Sequence, residues 1–303
     1  MVAKILHVVT APPNLSPYAK QLHTWLTKQL EKSALAWLGQ AVQQLSESAS
    51  ERVLFTHFSA ASRQVGKADL VLTEGDLRMA QALRPGWAPG QWSVDQAART
   101  LLLLTFPSQE ATRYVAALEK LFSAADVAEQ VALYQSLPLL PHPDLFTARA
   151  IDGLRTHITV VFNAIALQNP FPADYLNGAA WNQMVLKALF VGSPLSQIHG
   201  LDRRANARLA QMLSDYAHER WAADRTVNPQ LWRLIGPFAE GDLIADLARV
   251  LSHGKSFEQQ AAALACASAR TLEAKALLDQ VPTLRQQIAD GQLTWGSFSH
   301  NHR

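Results

Sequence analysis

Apolar residues recur three and four positions apart along almost the whole chain, and short polar or proline-containing breakers separate the runs. That period belongs to successive amphipathic helices; the strict alternation of a half-buried strand is nowhere sustained. Two residue types carry it. Of 303 residues, 48 are Ala and 44 are Leu, both strong helix formers, whereas the β-branched residues that favour strands are sparse. The expected fold class is all-α, an irregular helical-repeat bundle of α-solenoid type. No fixed repeat of 30–45 residues survives counting. The same composition excludes a disordered chain, a collagen-like one and a disulfide scaffold.

The 27 Lys+Arg nearly balance the 25 Asp+Glu, for a formal net charge of +2. That is too small for the electrostatic footprint of a nucleic-acid partner, and no polybasic block suggests a membrane surface. A single cysteine, Cys266, permits no internal disulfide and sits among Ala261 to Ala265, where a small buried thiol is expected. No run reaches the roughly 20 apolar residues that span a bilayer. Asn163 breaks Ile158–Leu167, and Lys187 breaks Met184–Val191. Met1–Pro13 makes a poor signal peptide, with a short apolar run interrupted by His7. A cytoplasmic protein without direct membrane insertion is expected, beginning with a loose extension over residues 1–16.

Helix signals follow at close intervals. Tyr18–Leu45 reads as two helices or one bent helix with Ser33 as a cap, and Ser50 caps the next, through Gln64. Thr73 or Asp76 starts a short helix that Pro85-Gly86 stops. Ser93 with Gln96 has capping-box spacing. Pro138, Pro141 and Pro143 mark the clearest internal boundary. The expected organisation is an N-terminal helical region over 17–137, a central region over 138–238 and a C-terminal region of repeat-like helices over 239–303, continuous with the central one.

Polar groups on apolar faces concentrate between His157 and Phe238. On a helix over Arg203–Asp224, wound at roughly 100° per residue, Leu209, Met212, Leu213, Tyr216 and Ala217 form one apolar face, Arg220 is expected to project from its middle, and Asn206 lies on its flank. A charge there needs a carboxylate, carbonyls or an anionic ligand. The helix Gly178–Val191 is apolar nearly all round, which places it centrally, with Asn182, Gln183 and Lys187 as exceptions. Asn163 interrupts another apolar run. Each residue alone reads as a hydrogen-bonding strut, but together they suggest a pocket. In the loop that includes His199, Asp202 reads as the helix cap. Arg203 and Arg204 would oppose the helix dipole unless an anion sits near the helix start.

Sharper chemistries are missing. Asp215, His218 and Glu219 suggest a metal face, but His218 is expected opposite Arg220 with no second His at i+4, so no metal is assigned. No Gly-x-Ser-x-Gly elbow, Cys–His pairing or strand–Gly-loop–helix unit appears, and no cofactor or catalytic residue is assigned.

Five adjoining motifs carry a resemblance. The runs Asn169-Pro170-Phe171-Pro172, Ala180-Trp181-Asn182-Gln183-Met184-Val185-Leu186-Lys187 and Gly200-Leu201-Asp202-Arg203-Arg204-Ala205-Asn206 occur in order. Asp215-Tyr216-Ala217-His218-Glu219-Arg220-Trp221 and Pro229-Gln230-Leu231-Trp232-Arg233 follow. Over about 162–238 the chain resembles the EboA family. The resemblance implies traffic or export of a secondary-metabolite precursor, in bacterial gene clusters (ebo clusters) that also encode a UbiA-like prenyltransferase and a TatD-like hydrolase. The implied partners are a small-molecule metabolite and other proteins of that cluster, and no catalytic residue carries over.

Two readings follow. In the first, the protein is a non-enzymatic helical binder or scaffold, with candidate ligand groups among Asn163, Asn182, Gln183, Lys187, His199, Asp202, Arg203, Arg204, Asn206, Tyr216 and Arg220. In the second, it is an enzyme acting on an anionic or prenylated intermediate, with Lys187, Arg220 and the Asp202–Arg204 loop around the substrate. The absence of a nameable nucleophile or base favours the first.

Overall fold

Helix starts fall where side-chain or proline chemistry can satisfy the first N–H groups. The structure, a computed structural model, describes residues 15–48 and 50–301. Helix α1 (Pro17–Gln29) opens with proline at its first position, and the Ser16 hydroxyl accepts from the Ala19 N–H. Ser16 and the buried Leu15 are therefore built into the fold, while the rest of the expected extension, residues 1–14, lies outside the described residues. The chain then leaves the helix at Leu30, and Glu31, not Ser33, takes the cap position of α2 (Lys32–Glu47). Ser50 precedes α3 (Glu51–Val65) without a side-chain bond. Thr73 and Asp76 cap α4 (Glu74–Leu83) reciprocally.

Before α5 (Val94–Thr105), Gln96 accepts from the Ser93 N–H at 2.9 Å, while the Ser93 hydroxyl turns to Asp95. This helix is buried on nearly every side, and α1, α2, α3 and α7 (Val127–Ser136) pack on it. Its burial includes an ion pair: Arg99 meets Asp95 one turn earlier and also donates to the Phe58 carbonyl at 3.1 Å. A buried charge needs such partners to be tolerable. The remaining helices of this part are α6 (Ala111–Ala124), α8 (Thr147–Gly153), α9 (Thr159–Ala166) and α10 (Phe171–Tyr175).

The described residues up to Leu176 form one compact unit and those from Asn177 onward a second. The proline cluster lies inside the first. Proline cannot continue an α-helix, but it suits the first positions of tight turns. Leu137–Leu139 and Pro143–Phe146 accordingly wind as short 3-10 helices that bury Leu137, Leu139 and Phe146.

The second unit contains α11 (Gly178–Val191), α12 (Ala207–Ala222), α13 (Trp232–Ile235), α14 (Asp242–His253), α15 (Ser256–Ser268), α16 (Leu272–Asp279), α17 (Pro282–Ala289) and α18 (Trp295–Asn301). Its hub is α15, which touches α13, α14, α16, α17 and α18. In stacked repeats each pair would touch its neighbours alone; here one Ala-rich helix lets several others approach. Gly236 shows how closely. A Cβ there would lie 2.5 Å from the Ala265 carbonyl oxygen. Within this unit α11 packs on α12.

The described residues are thus all-α, and their only sheet-like pairing is an isolated bridge between Asp69 and Ser93. Among them, no helix is long and apolar enough to cross a membrane.

Candidate functional site

The expected ligand groups belong to both units. Asn163 is half-buried on α9, in the first unit, and all the others belong to the second. Asn182, buried on α11, exchanges two amide hydrogen bonds with Asn206, of 3.1 and 2.9 Å. Asn206 also accepts from the Leu209 N–H, so it, not Asp202, caps α12. The helix begins at Ala207, and residues 199–204 are turns. Arg203 and Arg204 therefore precede the helix. The Arg204 guanidinium lies 4.8 Å from the centre of the Trp181 ring. Asp202 accepts two bonds from Arg233, of 2.6 and 2.5 Å, the fork geometry that makes arginine–carboxylate pairs directional.

Gln183 is exposed, whereas His199 and Tyr216 are half-buried. Lys187 is also half-buried, and desolvation lowers its ammonium pKa.

Arg220 does not project from the middle of an apolar face. It lies in the last turn of α12, where Asp224 with φ +53° reverses the chain, and its Nε donates to the Thr226 carbonyl at 3.0 Å. A helical wheel places it correctly in angle but says nothing of height. At this height the returning loop supplies a carbonyl.

His218 has a partner that the sequence reading did not name. Its Nε2 lies 2.6 Å from Oδ1 of Asp246, a buried carboxylate on α14, and the Ser214 hydroxyl donates to the other oxygen at 2.6 Å. A carboxylate only accepts, so Nε2 carries a proton. The signal for Asp246 was present in the sequence. Leu243, Asp246, Leu247, Val250 and Leu251 follow helical spacing, so the acid sits in the buried stripe of α14.

Beside this cluster the second unit opens a cleft of about 190 Å³. Its lining runs from the buried Trp232 and Val250, through the half-buried Trp221, to the exposed Arg249 and His253, with Gly254 and Glu258 at the start of α15. The aromatic rings form a row. His218 lies 5.5 Å from Trp221, which stacks on Trp232 at 5.9 Å with 23° between the planes. The Arg249 guanidinium sits 4.2 Å from the Trp221 ring centre. Arg249 forms no ion pair among the described residues; Glu258, the acid in the lining, accepts from the Lys255 N–H at 2.7 Å instead. His253 faces the Arg249 carbonyl with Nδ1 at 3.2 Å, which leaves Nε2 as the ring's other polar atom.

The two features differ in what they can do. In a hydrolytic triad the imidazole stands between hydroxyl and carboxylate, so that it can take the hydroxyl proton. Here Asp246 stands between Ser214 and His218, and the serine proton points at the acid. That order braces α12 against α14 and does not activate a nucleophile. Among the described residues no group of three or more His, Cys, Asp or Glu side chains could hold a metal ion. The cleft, by contrast, is concave and sets tryptophan side chains beside polar groups, an arrangement that can hold a small molecule.

Sequence reasoning missed this cleft because Arg249, His253 and Glu258 lie beyond the stretch rich in misplaced polar groups. Trp221 and Trp232 read as core residues, which Trp232 also is.

A family model described as metabolite traffic protein EboA matches residues 18–236. The match includes Trp221, Val227 and Trp232 and ends before Arg249, His253 and Glu258. No curated protein and no solved structure matches the chain.

Proposed function

The chain belongs to the EboA family, and from that premise we propose that it is a non-enzymatic binding protein that holds a small secondary-metabolite precursor during its traffic. The cleft between α12, α13, α14 and the start of α15 is the binding site in this reading. One observation carries it: two stacked tryptophans wall a cavity of about 190 Å³, and beside them stands an arginine that no carboxylate occupies among the described residues. Contact with the tryptophan side chains gives affinity, and a small number of polar groups gives orientation. The reading also makes the protein cytoplasmic, acting beside other proteins of its gene cluster.

The family's description supports handling a metabolite rather than transforming it. The Ser214–Asp246–His218 order supports the same side. An enzymatic alternative, acting on an anionic or prenylated intermediate, draws on the free Nδ1 of His218 as a base. It requires the bound molecule to change mass.

Native mass spectrometry tests both. Wild-type protein and a Trp221→Leu variant are exposed to a metabolite extract of the native cells, and the retained small molecules are weighed. The wild type retains a species that the variant loses, with its mass unchanged on incubation. Equal retention by both proteins, or none by either, overturns the binding reading; a product mass that accumulates with time replaces it with the enzymatic one.

A further inference from the structure

We infer that the cleft takes a zwitterion of α-amino-acid type, with its carboxylate at Arg249 and its ammonium at Glu258. This rests on the reading of the cleft as the ligand site and adds the chemical class. The lining includes one arginine and one glutamate, and among the described residues no ion pair joins them. Each is held by a contact of its own instead. The Arg249 guanidinium lies 4.2 Å from the centre of the Trp221 ring. Glu258 accepts from the Lys255 N–H at 2.7 Å with Oε2, which leaves Oε1 as the carboxylate's other acceptor. The stem of Glu258 is fixed as well: it lies against Gly254, where any added Cβ would come within 3.0 Å of the Glu258 Cβ.

Opposite charges that line one cleft without pairing select by elimination. A simple anion gains Arg249 but meets the Glu258 carboxylate, and a simple cation gains Glu258 but meets Arg249. A neutral ligand displaces water from both charges and pairs neither, which is costly. A zwitterion gives each charge a partner, and the guanidinium can hold a carboxylate through a forked pair of bonds. The other polar groups nearby do not tip this balance. Asp246 is enclosed by Ser214 and His218, and His253 has its Nδ1 at the Arg249 carbonyl. Size then limits the ligand. A dry cavity of roughly 150 Å³ holds a benzene molecule, so a cleft of about 190 Å³ suits a single amino acid and not a peptide of several residues. Val227 and Val250 give the lining an aliphatic part, which matches an aliphatic side chain.

The test titrates three probes with one side chain into the full chain by isothermal titration calorimetry. They are L-leucine, N-acetyl-L-leucine, which lacks the ammonium, and L-leucinamide, which lacks the carboxylate. Leucine binds about tenfold or more tightly than either derivative, the scale of one charge-assisted contact. Arg249→Gln weakens leucine and N-acetyl-leucine about tenfold and leaves leucinamide unweakened. Glu258→Gln weakens leucine and leucinamide by a similar factor and leaves N-acetyl-leucine unweakened. Glutamine can keep the cap bond to the Lys255 N–H, and Arg249 is exposed, so the circular dichroism of both variants stays that of the wild type. If a derivative binds as tightly as leucine, or either variant weakens all three probes alike or none of them, the zwitterion inference is wrong. The cleft reading then stands if Trp221→Leu abolishes the binding seen, and falls if Trp221→Leu leaves it intact. If no probe binds, the zwitterion inference is wrong too, and the cleft reading is decided by whether the wild type retains a metabolite that Trp221→Leu loses.

Discussion

Asp76 makes three hydrogen bonds with one carboxylate. Oδ2 accepts from the Thr73 N–H at 3.0 Å and from its hydroxyl at 2.7 Å, and Oδ1 accepts from the Trp25 indole at 2.9 Å. The Thr73 hydroxyl, then its backbone N–H, hold the Asp76 carboxyl below its ordinary range against the opposing pull of desolvation. All three partners donate, and an amide can satisfy them only in part. Asp76→Asn therefore costs about 1 kcal/mol, the scale of a lost helix cap. The sign with pH follows from the depressed pKa. The carboxylate's contribution is complete above its ordinary value and is lost as pH falls through the folded one. In denaturant titrations the gap between wild type and variant is full at about pH 7 and shrinks towards about pH 3. A gap independent of pH would show that the charge is not what matters. Cys266 makes the opposite case among titratable groups: burial in α15 pushes its thiol up to about 12, so it behaves as a small apolar side chain.

At the scale of elements, close approach sets what a helix can tolerate. Gly236→Ala puts a methyl group 2.5 Å from the Ala265 carbonyl oxygen, which belongs to the hub helix and cannot swing away. The variant loses about 1–3 kcal/mol of unfolding free energy, the usual cost of overpacking. Unchanged stability would mean that α13 and α15 are loosely held.

Helix existence was readable from the sequence for the same local reasons that make it form. Gly178–Val191 appears over the range its apolar run and glycine stop imply, and Thr73 caps where its spacing says. The start of α12 was misread because Asp202 and Asn206 are both good caps, and what chooses between them is distant: Arg233 takes Asp202, and Asn182 takes Asn206. Arg99 escaped notice for a related reason. Its partner Asp95 is one turn away, but the helix that carries both becomes buried only when α1, α2 and α3 close over it.

For the whole molecule, the excess of Ala and Leu was enough to imply an all-α fold, since few other architectures can use so many apolar residues without β-branching. Two helices show where those residues go: Leu101 to Leu103 bury α5 in the first unit, and Ala261 to Ala263 with Ala265 make α15 the hub of the second. The candidate site was less legible. Its walls come from Trp221 and Trp232 and its charge from Arg249, on three helices whose contacts no local pattern reports. The polar residues that stood out in sequence, Asn182, Asn206 and Asp202, have bonds that hold the second unit together.

The claim that a ligand occupies the cleft lined by Trp221 and Trp232 is tested most directly by the indole N–H resonances of the eight tryptophans, assigned by single Trp→Phe substitutions and followed during titration with a metabolite extract of the native cells. The account predicts that the signals of Trp221 and Trp232 move together and saturate, while those of Trp25, Trp87 and Trp92 stay in place. Shifts confined to those other tryptophans, or a titration that moves none of the eight, would contradict it.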